Sequence, residues 1–133
     1  MASSLSPRFR LLGFALGTLT LLWFSVEDTG LGWVLGLALV DALWGSIWLA
    51  QRIQPGTSLP RWGLVGTAGG VSAPLLMMFF MFFKTGLHSH STPDFNIDDF
   101  ITAASFLPWL TSTGLLFGAA YGLWQRAQSA ETH

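Results

Sequence analysis

The stretch RWGLVGTAGGVSAPLLMMFFMFFK, residues 61–84, carries one positive charge at each end and none between them. A helix needs about 20 predominantly apolar residues to cross about 30 Å of hydrocarbon, so residues 62–83 read as a membrane span. Three further stretches match it at 11–26, 31–50 and 101–124. The chain of 133 residues is 51% hydrophobic and only 10% charged, against about 25% charged residues in soluble domains. One domain follows: an all-α integral membrane bundle of four transmembrane helices.

The first stretch is the shortest and follows Arg8 and Arg10. A signal peptide would share those features, but WFSVEDTG (residues 23–30) offers no small-x-small cleavage pattern, so 11–26 is read as a span. Zero cysteines exclude disulfides, thiolate catalysis and cysteine-ligated metals. A formal net charge of -1 with no basic patch gives no sign of nucleic-acid binding.

The charges sort by segment. Arg8 and Arg10, Arg52 and Arg61, and Arg126 fall on one side of the bundle; Glu27, Asp28, Lys84, Asp94, Asp98 and Asp99 fall on the other. The positive-inside bias then places both termini in the cytoplasm and segments 27–30 and 84–100 on the opposite face. A bacterial inner membrane is the expected location, with a thylakoid as the alternative.

The two halves also resemble each other. PRFRLLGFALG from Pro7 and PRWGLVGTAGG from Pro60 share Pro-Arg-aromatic and glycines at Gly13/Gly66 and Gly17/Gly70; the exits WLAQR (48–52) and LWQR (123–126) match as well. Two helical hairpins of like orientation would form a parallel repeat. Boundary rules acting on each hairpin separately would produce the same likeness.

Asp41 is the one ionisable residue deep inside an expected span. Near mid-bilayer it costs about 2.5–3.5 kcal/mol to insert, so it should face the bundle or a wet cavity. It is therefore a candidate proton or cation site. The plainer reading is a hydrogen-bonded carboxyl joining helices through Ser46, Thr67 or Ser72.

Glycine pairs at four-residue spacing recur in every span: Gly13/Gly17, Gly32/Gly36, Gly66/Gly70 and Gly114/Gly118, the last continued by Gly122. Such pairs let helix backbones approach closely and predict packing within the bundle or against a partner subunit. Pro74 and Pro108 lie inside spans and predict local bends. The tryptophans cluster near span ends as an aromatic belt, with Trp44 and Trp109 deeper and expected to face the bundle.

The polar stretch 84–100, KTGLHSHSTPDFNIDDF, is the outer loop, with room for an interfacial helix. His88 and His90 with Asp94 are a candidate metal or pH-sensing set, although two histidines one residue apart make an incomplete ligand group. Asp98 and Asp99 fit the first turn of a helix capped by Asn96 or, in another register, by Thr92 with Pro93 following. No histidine falls inside a span to hold haem between two axial ligands; the cofactor is unknown and none is strongly implied, with a single interfacial histidine as axial ligand to haem or chlorophyll left open.

With no nucleophile or full ligand set, the chain is not expected to be an enzyme. The expectation is a small accessory, assembly or interaction subunit with the lipid bilayer around it, working as a homo-oligomer or within a larger membrane complex. The alternative is an oligomeric proton- or cation-coupled transport protein using Asp41, with His88, His90 and Asp94 at its outer mouth.

Overall fold

A computed structural model describes residues 6–24, 30–52, 58–87 and 94–131, which form four helices: α1 (Pro7–Phe24), α2 (Leu31–Arg52), α3 (Leu59–Leu87) and α4 (Ile97–Glu131). The protein is all-helical, and α2, α3 and α4 are long and apolar enough to cross a membrane. The helix α1 does not join them. Its first turn carries Arg8 and Arg10, and the apolar remainder from Leu11 to Phe24 is about 21 Å long at about 1.5 Å per residue. Of the expected first span over 11–26, residues 11–24 are helical in α1, and residues 25 and 26 lie outside the described residues.

The outer stretch is also shorter than the sequence predicts. Residues 84–87 complete α3, and residues 97–100 open α4. A separate interfacial helix filling 84–100 does not form within the described part of that stretch; residues 88–93 lie outside it. Helix α4 starts at a reciprocal cap, in which the Asp99 amide donates to Asn96 Oδ1 at 3.0 Å and the Asn96 amide donates to Asp99 Oδ2 at 2.9 Å. Each side chain satisfies the other residue's backbone, as in a capping box. This selects the Asn96 register and leaves Asp98 and Asp99 in the first turn, where the helix dipole favours negative charge.

The closest packing joins α3 and α4, antiparallel, along their glycines. A Cβ added at Gly66 would overlap the Gly114 carbonyl oxygen, and one at Gly114 would overlap that of Gly66. Gly70 lies equally tight against the Leu110 carbonyl and Gly118 against that of Trp62. Lipid tails are as apolar as leucine, so close van der Waals packing, not escape from water, holds such a seam. Both prolines are accommodated in unbroken helices. Pro74 is fully buried on α3, while Pro108 faces outward on α4.

At the other end of α3 the packing changes from glycine to large side chains. Met77, Phe80, Met81 and Lys84 recur at helical spacing and are buried, while Leu75, Phe79, Phe82 and Phe83 of the same run point outward. Val34 and Ala38 of α2, Trp23 of α1, Phe95 just ahead of α4 and Ala103 within it complete this core. The antiparallel order brings all five arginines to the end opposite this core, and Lys84, Asp94, Asp98 and Asp99 to the core's own end.

The likeness between the two halves does not extend to their packing. In the first half Gly13 abuts the Trp44 indole and Gly17 meets nothing within 4 Å, whereas their counterparts Gly66 and Gly70 touch the backbone of α4. Gly32 and Gly36 likewise have open space before them.

This contrast predicts unequal tolerance. Gly114→Leu should force α3 and α4 apart and destabilise the protein by about 1–3 kcal/mol or more, whereas Gly36→Leu should leave stability within about 0.5 kcal/mol. Thermal unfolding in detergent micelles, followed by circular dichroism, measures both. Equal effects would show that the glycine seam is not what holds the pair.

Candidate functional site

Among the described residues, two ionisable side chains, Asp41 and Lys84, lie at helix interfaces. Asp41 sits on the α1-facing side of α2 and is half-buried. Its Oδ2 accepts a hydrogen bond from Thr20 Oγ1 at 3.1 Å. The partners expected from the sequence do not serve: the Ser46 and Thr67 hydroxyls donate to the Ala42 and Gly63 carbonyls of their own helices, and that of Ser72 donates to Gly69. Hydroxyls inside a helix readily turn back to the preceding turn, which removes them as partners for a neighbour. Thr20 is buried against α2 and keeps its hydroxyl for the carboxylate.

Asp41 lines two clefts. One, of about 620 Å³, lies between α1, α2 and α3 and includes Thr20, Trp44, Leu76 and Phe80. The second, of about 340 Å³, opens along α2 and α3 past Ser46, Gly69 and Ser72. The Trp44 indole Nε1 is buried with no hydrogen-bond acceptor among the described residues. Trp44 stacks on Phe9, with ring centroids 5.3 Å apart, and so faces the bundle as the sequence predicts; Trp109 does not, being 75% exposed on α4.

Lys84 belongs to the core. It is 0% exposed, and its Nζ lies 4.5 Å from the centroid of the Trp23 ring. A desolvated ammonium over an indole face gains about 2 kcal/mol or more from the ring quadrupole. Trp23 in turn packs on Phe80. Lys84 stands four residues beyond Phe80, which lines the Asp41 cleft, about 6 Å further along α3. The two ionisable groups therefore lie on one seam, with Thr20, Trp23 and Phe80 between them.

The sequence-predicted outer set is only partly placed. Asp94 is exposed beside the first turn of α4, while His88 and His90 lie outside the described residues. Among the described residues no three His, Cys, Asp or Glu side chains come together as metal ligands. Of the predicted packing glycines, Gly66, Gly70, Gly114 and Gly118 meet one another's helices, Gly13 meets Trp44, and Gly17, Gly32 and Gly36 meet nothing.

Sequence reasoning missed Thr20 and the inward turn of Lys84. For Lys84 a signal existed, since it continues the Met77, Phe80, Met81 stripe at helical spacing. The surrounding run is apolar on every side, so the stripe could not be told from its neighbours. Comparisons of the chain with protein-family models, curated proteins and solved structures gave no match.

A double-mutant cycle of Trp23→Leu and Lys84→Met should show a coupling of about 0.5–2 kcal/mol between indole and ammonium. Stability in micelles is the readout. Strictly additive losses would mean that the two groups are merely adjacent.

Proposed function

We propose that this protein is a membrane-embedded interaction subunit whose free helix faces receive a helix of a partner or of a second copy. The observation that carries this reading is the unequal use of its glycine pairs. Gly66/Gly70 and Gly114/Gly118 are consumed inside the bundle, whereas Gly32 and Gly36 form an open four-residue pair on the exposed side of α2. Small residues at that spacing are what let a second membrane helix approach. The large apolar side chains that α4 turns outward, among them Trp109, Leu116 and Phe117, suit the same environment of lipid and neighbouring helices.

The test uses the tolerance of the open pair. Gly32→Leu with Gly36→Leu should leave the isolated protein folded and abolish its migration in a larger assembly on native gels of gently solubilised membranes. An unchanged assembly would sink the proposal.

A second reading rests on a different observation, the exposure of Asp41 to two clefts. A carboxyl reached from two openings near the middle of a span is suited to proton- or cation-coupled transport. In this reading both termini and the arginine end are cytoplasmic, as the charge bias favours, and His88, His90 and Asp94 belong to the outer mouth. In proteoliposomes the wild type would then carry a proton or cation flux that Asp41→Asn removes while the fold is retained. Because the chain has no cysteine, single cysteines at Ser129 and Ser91 should be labelled from opposite sides of the membrane. Absence of flux in the wild type removes the transport reading, and labelling from the same side removes the sidedness.

A further inference from the structure

The cleft of about 620 Å³ between α1, α2 and α3 carries its polar side chains at Thr18, Thr20, Asp41 and Trp44. Their hydrogen bonds decide what the cleft can offer a ligand. The Thr18 hydroxyl donates to the Phe14 carbonyl at 2.9 Å, and that of Thr20 donates to Asp41 Oδ2 at 3.1 Å, so both hydroxyl hydrogens are committed. Trp44 Nε1 is buried and so is closed off from the open space of the cleft. The backbone N–H groups along the cleft lie in helix interiors, where each is bonded to the carbonyl four residues back. Among the described residues no donor is left to face a ligand. Acceptors remain, because a hydroxyl oxygen keeps two lone pairs and a carboxylate accepts about four hydrogen bonds, of which Thr20 supplies one.

The rest of the wall is apolar. Leu16 of α1 and Leu76 and Phe80 of α3 line it, and its α1 rim includes Phe14 and Leu21, both exposed. Gly17 lines the cleft with nothing within 4 Å of the place its Cβ would take, so a glycine that packs against no helix keeps this space open. Lys84, one turn beyond Phe80, is set over the Trp23 ring and does not line the cleft.

We infer that this cleft binds a lipophilic organic cation, an ammonium group on an aromatic or aliphatic body, with the ammonium at the Asp41 carboxylate. The inference builds on the transport reading of Asp41 by naming the class of its cargo. An acceptor-only lining turns lone pairs toward an anion or a neutral acceptor, and it receives a positive group with N–H donors. A bare metal ion is a poorer match, because hard cations take about six or more oxygens. The cleft presents two hydroxyls and one carboxylate. Its volume lies in the range of about 300–1,000 Å³ of small-molecule sites, which set a few polar groups in an apolar wall. The exposed apolar rim at Phe14 and Leu21 suits entry of an amphipathic ligand from lipid.

The experiment is equilibrium dialysis of the full chain in nonionic micelles, with uptake by empty micelles subtracted. The probes are phenethylammonium, phenethyl alcohol as its neutral counterpart and hydrocinnamate as its anionic one. The wild type should bind the ammonium saturably and take up neither counterpart beyond the micelle background. Asp41→Asn should weaken ammonium binding by about 10- to 100-fold, the range for a hydrogen bond to a charged group. Gly17→Phe, which fills the cleft and leaves the carboxyl in place, should weaken it as well, and circular dichroism confirms that the helices of both variants persist. The inference is overturned by equal binding of the alcohol or the anion, by displacement of the ammonium with equimolar sodium ion, or by undiminished binding to either variant. Binding in micelles needs no flux, so the two readings fail separately. Ammonium binding without flux in proteoliposomes removes transport and leaves the site, whereas an Asp41-dependent proton flux without ammonium binding leaves transport and removes the site.

Discussion

The rest of the structure depends on backbone contact between α3 and α4. At Gly66, Gly70, Gly114 and Gly118 there is no room for a methyl group, because the carbonyl of the facing helix already occupies its place. In an apolar solvent two helices gain little by hiding leucine from lipid, so they must come closer to each other than lipid can come to either. Glycine permits that distance. Once α3 and α4 are fixed, the large residues at the far end of α3 find Val34, Ala38, Phe95 and Ala103 around them, and a groove is left between α2, α3 and α4 at the arginine end.

Hydrogen-bonded polar side chains inside the bundle are handled in two ways. The half-buried hydroxyls of Ser46, Thr67 and Ser72 return to a carbonyl of the preceding turn, which makes them harmless in a low-dielectric setting. Thr20 is spent instead on Asp41, and Lys84 is set over the Trp23 ring. An ionisable residue kept at an interior interface is costly in a membrane and tends to mark function. Here both lie on the seam that α1 closes. That helix rests lightly on its neighbours, so the polar seam is covered by the most weakly attached element of the fold.

Much of this was legible in the sequence, and the reasons are physical. Long uncharged runs bounded by arginine and aspartate fix the helices, because a backbone in hydrocarbon must satisfy its own hydrogen bonds. The Asn96 start was one of two open registers, and the reciprocal bonds with Asp99 chose between them. The first run was read as a span; of the described helices, α2, α3 and α4 are long and apolar enough to cross a membrane. Asp41 was recognised as the unusual residue of α2. Its partner was not, because Ser46, Thr67 and Ser72 look equally suitable until their own carbonyls are seen to hold them.

Sequence alone determined the number of helices, their apolar character and the segregation of arginines to one end, since each follows from local composition and the alternation of antiparallel segments. It also identified the glycine spacing as a means of close approach. Which glycines are used and which stay open was decided only by tertiary structure, because four near-identical spacings compete for the same kind of contact. The same holds for Lys84, whose inward turn depends on where Trp23 comes to lie. Periodicity can mark a face of a helix, but only a neighbour determines whether that face is filled.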